Sequence, residues 1–177
     1  MKKLLVLTAV LLLSVAPAMA GNYVKGTVGY FTPTEGDLDS SFALNVAGGM
    51  DLKDQLDAPV SVELGIGYTA PEATGVEVTI IPITLTGLYE LPLDVPNFAF
   101  NVGAGLGMYM WEVEFDSFFG GTEKDDGNDF GFHVQAGADY KLNDQLALVG
   151  ELKWAKVDFD ETDGGGTSLN VGAKYNF

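Results

Sequence analysis

Cysteine and arginine are both absent from this chain of 177 residues, and histidine occurs once. Without thiols there is no disulfide, no thiolate metal site and no cysteine nucleophile. A single histidine cannot build a histidine-rich zinc centre. Positive charge is scarce: nine lysines face 25 acidic residues, for a formal net charge of −16. A nucleic-acid binder carries the opposite, basic footprint, so that class is excluded. Beyond residue 20 no apolar stretch is long enough for a helical membrane span, and no helical period of hydrophobicity appears. What the chain does have is 47% hydrophobic residues and 23 glycines, which separates it from a disordered acidic tail.

The start of the chain reads as an address. Met1-Lys2-Lys3 is a short positive segment, Leu4 to Val15 is apolar apart from Thr8 and Ser14, and Pro17-Ala18-Met19-Ala20 is a small-x-small cleavage pattern. Residues 1–20 are therefore expected to be a secretory signal peptide cut after Ala20, and the apolar run is too short for a comfortable transmembrane anchor. No cysteine follows the cut, so a lipoprotein is excluded. The expected mature chain, 21–177, is a single domain with 25 acids against seven lysines, a net charge of −18.

That domain alternates. Val60, Val62, Leu64, Ile66 and Tyr68 form one parity and Ser61, Glu63, Gly65 and Gly67 the other, the period of a strand with one apolar and one polar face. The same pattern gives eight strands, near 22–32, 41–51, 59–69, 76–91, 98–113, 129–141, 146–157 and 167–177. The fourth is expected to change parity: Glu77 and Thr79 face the polar side, while Ile81, Ile83, Leu85 and Tyr89 continue the apolar side. A β-bulge beside Pro82, which cannot donate a ladder bond, is the simplest sequence-level account. Outer connections are expected at 33–40, 70–75, 114–128 and 158–166, inner turns at 52–58, 92–97 and 142–145.

Side-chain size decides which face points in. The apolar parity is large and the polar parity is mostly small, with glycine at 49, 65, 67, 103, 105, 107, 131, 137 and 172. Small residues suit the cramped interior of an eight-stranded barrel, so the large set faces lipid. On that face Tyr89, Phe98, Tyr140, Tyr175 and Phe177 gather at one end. Tyr30, Phe42, Tyr68, Phe130 and Trp154 gather at the other, as two interfacial girdles require. The expected fold is all-β: an eight-stranded antiparallel up-and-down transmembrane β-barrel, the first strand closing on the last.

The final residues, Asn170-Val171-Gly172-Ala173-Lys174-Tyr175-Asn176-Phe177, resemble the β-signal of outer-membrane proteins, with Asn170, Gly172, Tyr175 and Phe177 at its marked positions. Ile80-Ile81-Pro82-Ile83-Thr84-Leu85 and Asn101-Val102-Gly103-Ala104-Gly105-Leu106-Gly107 are similar to strand motifs of the same superfamily. The whole mature chain thus resembles the small outer-membrane β-barrels grouped around the OmpA transmembrane domain, OmpX and the opacity-type proteins. The resemblance implies a Gram-negative cell outer membrane location and contact with its lipid and lipopolysaccharide. It also implies insertion by the barrel-assembly machinery with periplasmic chaperones. No second, periplasmic domain is expected.

Lys25, Glu63, Glu151, Lys153, Lys174, His133, Gln135, Asn101 and Asn170 fall on the lumen parity. Lys25, Glu63, Glu151, Lys153 and Lys174 are expected to form an internal network that plugs the barrel, because buried charges need partners; the alternative is an ion path. With the last hairpin centred near Thr162-Asp163, Glu151 falls opposite Lys174, Lys153 opposite Gly172 and Ala155 opposite Asn170. His133 raises acyl hydrolysis, but no serine accompanies it in its strand, so an enzyme is not expected and no catalytic residue is named.

The outer connections are acidic: Glu35, Asp37 and Asp39, then Glu72, then Glu114, Asp116, Glu123, Asp125 and Asp126, then Asp158, Asp160, Glu161 and Asp163. Divalent cations are possible partners. The favoured account is a solvated rim, since Asp158-x-Asp160-x-x-Asp163-Gly164 puts Leu169 where a calcium loop needs glutamate. No cofactor is expected. A structural or surface-interaction role follows, with a narrow channel or carrier of small hydrophobic molecules as alternative, a lipid-modifying enzyme third, and a monomer as the state.

Overall fold

The computed structural model describes residues 22–34, 38–74, 76–117, 121–159 and 162–177. The signal peptide expected at 1–20 lies outside them, as do Glu35, Asp37, Asp160 and Glu161. The strands are β1 (Asn22–Pro33), β2 (Ser41–Asp51), β3 (Val60–Thr69), β4 (Glu72–Ala73), β5 (Val76–Leu91), β6 (Phe98–Ser117), β7 (Gly121–Lys141), β8 (Leu146–Phe159) and β9 (Thr162–Asn176). A one-turn helix, α1 (Lys53–Leu56), lies between β2 and β3.

Strands adjacent in sequence pair antiparallel, with two pairings that close the sheet. β1 pairs with β9, Val24 opposite Tyr175. β3 skips β4 to pair with β5, Leu64 opposite Leu85. β4 is a two-residue patch on the upper end of β5. The barrel therefore has eight wall strands, the first beside the last. The β2–β3, β5–β6 and β7–β8 connections lie at one end, here the turn end; at the opposite, hairpin end lie the β1–β2, β3–β5, β6–β7 and β8–β9 connections.

Burial follows parity, inverted relative to a water-soluble protein. Leu106, Leu169 and Phe130 point outward at 68, 62 and 75% exposure, while His133, Asn170 and Thr86 are sealed inside. All ten residues assigned to the two aromatic girdles are exposed on the outer wall. Glycine supplies the interior space. A Cβ on Gly49 would sit 2.1 Å from the Tyr23 ring, and one on Gly105 would sit 2.6 Å from His133 Cε1, so Tyr23 and His133 each rest on a glycine across the ladder.

Two expectations are corrected here. There is no bulge at Pro82: pairs run in one register from Val76↔Phe115 to Leu91↔Phe100. Glu77 and Thr79 share the outward parity with Ile83 and Leu85, and with Ile81, which is buried at 6% exposure. What changes along the strand is its surroundings. Above the pair Ile81↔Met110 the outward residues become Thr79 and Glu112, then Glu77 and Glu114. A wall that has left lipid needs a polar exterior, and the apolar residues Val78, Ile80, Trp111 and Val113 then fall on the inner parity. The second correction concerns 114–128, expected as a loop. Its described residues continue the β6–β7 ladder, from Glu114↔Lys124 to Ser117↔Gly121. In the same way β8 and β9 pair out to Phe159↔Thr162.

Candidate functional site: a charged layer between two lumen cavities

Because inward positions recur every second residue, four wall strands deliver polar side chains to one level. β1 supplies Lys25, β3 Glu63, β7 Gln135, and β8 both Glu151 and Lys153. Lys25 Nζ lies 2.9 Å from Glu63 Oε2 and 2.8 Å from Glu151 Oε2. Gln135 Nε2 donates to Glu151 Oε2 at 3.3 Å, and Lys153 Nζ stands 3.6 Å from Glu151 Oε1. Tyr23 donates its hydroxyl proton to Glu63 at 3.2 Å. Lys25, Glu63 and Glu151 are 7, 3 and 3% exposed. Two lysines balance two carboxylates, so the layer is formally neutral. Such a cluster is tolerated in a low-dielectric interior only when each charge has its partner.

Lys174, expected beside Glu151, is elsewhere. The β8–β9 register places Glu151 opposite Asn170, Lys153 opposite Ser168 and Ala155 opposite Gly166, with Lys174 opposite Ala147. The hairpin centre thus lies two residues earlier than expected. A two-residue shift keeps every side chain on its face and changes every partner. Lys174 instead bonds Asp139 Oδ2 at 2.5 Å and lies 4.5 Å above the Tyr23 ring. It forms a second, lower pair on the turn-end side of the layer. Tyr23 and Asp139 were not anticipated as members, although both sit on the polar parity; the Tyr23↔Gly49 pairing is the only local signal for the tyrosine.

The layer separates two spaces. On the hairpin side is a cavity of about 80 Å³ walled by Phe31, Ile80, Pro82, Tyr109, Ala155 and Val157, with Lys25, Glu63, Glu151 and Lys153 among its lining. On the turn side is a wider, polar vestibule of about 600 Å³ bordered by Asp51, Lys53, Glu90, Asp139, Lys141 and Lys174. Between them lies a void of only about 10 Å³. Beside the upper cavity the β3–β5 ladder is interrupted: Ile66↔Ile83 and Thr69↔Ile80 pair, but Gly67 and Tyr68 do not pair with Pro82 and Ile81. Proline has no N–H to give there.

His133 is fully buried, and its Nε2 shares a 2.8 Å hydrogen bond with Thr86 Oγ1. Asn101 pairs across the ladder with Gly137. Of the β-signal positions, Asn170 and Gly172 face inward, Asn170 donating to Ser168 Oγ at 3.0 Å. Tyr175 and Phe177 face outward with ring centroids 5.2 Å apart, and the Phe177 N–H donates to the Asn22 carbonyl at 3.0 Å. Among the described residues no group of three or more His, Asp or Glu is placed to hold a metal ion.

Residues 5–177 match the family described as outer membrane protein beta-barrel domain. Among solved structures, Neisserial surface protein A is similar at a TM-score of 0.70 and 13% identity, with 89% of this chain and 98% of that chain covered. The outer membrane protein OprG from Pseudomonas aeruginosa gives 0.62 and 14%, over 89% and 96%. The outer membrane enzyme PagL gives 0.54 and 14%, over 88% and 99%. No curated protein matches the chain. At these identities the structural likeness establishes the fold.

Proposed function

This chain belongs to the outer membrane protein beta-barrel domain family, and on that premise we propose that it is a closed, monomeric barrel of the outer membrane with a structural and surface-interaction role. One observation carries the reading: the Lys25–Glu63–Glu151 layer spans the lumen at 7, 3 and 3% exposure, with about 10 Å³ of space beneath it. An ion crossing the barrel has to displace a paired, buried cluster, and breaking one such pair costs about 3–5 kcal/mol. Purified folded protein in a planar bilayer should leave conductance at the bare-bilayer baseline. Reproducible single-channel steps would replace this reading with a channel.

A second reading has its own observation. The apolar upper cavity beside the ladder interruption at Pro82 suits a carrier of small apolar molecules. In a Trp154→Phe background, a brominated short-chain alcohol that enters this cavity should quench Trp111 at saturable, low concentration. Quenching that rises only linearly leaves the structural role alone standing. The non-enzymatic reading is supported by His133, which is sealed in the lumen against Thr86. The acidic rim is read as a solvated surface.

We further assign Asn170, Gly172, Tyr175 and Phe177 to recognition by the barrel-assembly machinery, after removal of residues 1–20 and delivery by periplasmic chaperones. Tyr175→Ala with Phe177→Ala should lower the heat-modifiable, folded fraction in cells while the purified variant still refolds in detergent. A normal folded yield in cells argues against the signal.

A further inference from the structure

We propose that the free edge of β7, above the membrane, receives an extended lysine- or arginine-rich polypeptide segment as an added β-strand. β7 pairs with β6 as far as Ser117↔Gly121, but with β8 only from Gly131↔Val157. Among the described residues, 123–130 therefore pair on one side alone. Eight residues make an edge of roughly 26 Å, whose outward N–H and C=O groups are a template for another strand. Above Phe130, which belongs to the interfacial girdle, no membrane lipid covers it, because the outward residues of this ladder are polar beyond Met110, whose partner is Asn128.

Charge selects the occupant. The edge reads Glu123-Lys124-Asp125-Asp126-Gly127-Asn128-Asp129-Phe130, four acids and one lysine. Lys124 is already engaged by Glu112 at 3.2 Å and by Glu114, so it does not offset the remaining acids. A second copy of this edge would set acid against acid, which disfavours self-pairing. The same pattern favours a strand carrying cations on both faces. The inner face adds a specific feature. The Trp111 ring lies across Gly127, where a Cβ would sit 2.6 Å from it, and its Nε1–H donates to Asp129 Oδ2 at 2.6 Å. An arginine or lysine of the added strand would find an aromatic face and a carboxylate side by side. This gives the surface-interaction role a partner chemistry, and it is independent of whether the lumen conducts.

The test uses the full folded protein in nanodiscs of zwitterionic lipid. The probes are a nine-residue peptide repeating lysine-lysine-valine-valine, which carries cations on both faces of a strand, its glutamate-for-lysine counterpart, and a lysine–proline peptide of equal charge that cannot form a ladder. The lysine–valine peptide should bind at least about tenfold more tightly than the lysine–proline one, and the glutamate peptide should not bind. Amides of one parity between Glu123 and Phe130 should gain hydrogen-exchange protection. Glu123→Lys with Asp125→Lys and Asp126→Lys should abolish binding with heat-modifiable folding unchanged. Equal affinity for the two lysine peptides, or binding with no alternate-residue protection, would overturn the proposal by showing adsorption through charge alone. Absence of binding would overturn it equally.

Discussion

At the residue scale, the lumen shows why face is readable from sequence and partnership is not. Parity alone puts Lys25, Glu63, Gln135, Glu151 and Asn170 inside, since consecutive side chains alternate faces whatever the strand's neighbours do. Which of them meet depends on where each hairpin turns. A hairpin centre two residues later would set Lys174 opposite Glu151, whereas it stands by Asp139 in the folded chain. Lys25 is the cation that two carboxylates share, and this sets its expected mutant behaviour. Lys25→Met leaves Glu63 and Glu151 with Lys153, 3.6 Å from Glu151, as their one remaining counter-charge, and should destabilise the barrel by about 3–5 kcal/mol in urea unfolding from detergent micelles. Adding Glu63→Gln should recover most of that loss, because Glu151 then keeps Lys153 and the layer is neutral again. Equal stability of the single and double variants would mean that water already screens the cluster.

At the element scale, the strands reach further than their apolar content suggests. Residues 114–128 look like a loop because they are rich in acid, yet Trp111, Val113 and Phe115 alternate with Glu112, Glu114 and Asp116. That is a strand pattern with the apolar face reversed, and a search keyed to apolar-outward residues stops at Met110. The apparent bulge at Pro82 has the same origin, since a reversal of environment mimics a reversal of register. The projecting β6–β7 ladder carries its own pH signature. The hydrogen bond from Lys124 holds the exposed Glu114 carboxyl below the usual range, and Glu114, then Glu112, hold the Lys124 ammonium above its own. Glu114's contribution is complete above the ordinary glutamate pKa and is lost as pH falls through its lowered value. Lys124's is complete below the ordinary lysine pKa and is lost as pH rises through its raised value. The pair should therefore persist across neutral pH and loosen in acid. Carboxyl-carbon NMR should show the Glu114 midpoint moving upward in Lys124→Met; an unmoved midpoint would remove the pair from consideration.

At the scale of the whole molecule, closure follows from strand count, and closure was legible early, because glycines on one parity and large side chains on the other fit only one of the two ways to roll such a sheet. The boundary marked by Ile81↔Met110 has a further consequence. From that pair to Leu91↔Phe100 the outward wall is apolar over ten residue steps. Tilted as barrel strands are, ten steps rise about 25 Å, which makes the wall a gauge of hydrocarbon thickness. A bilayer of long saturated chains must thin around it or leave its own tails against Glu112 and Thr79, and each ångström of mismatch costs a fraction of a kcal/mol. Refolding into vesicles should accordingly be fastest and most complete in short-chain phosphatidylcholines and fall steadily as the acyl chains lengthen. A variant with Glu112→Leu and Thr79→Leu, carrying the apolar wall two residue steps higher, should shift that optimum toward thicker bilayers.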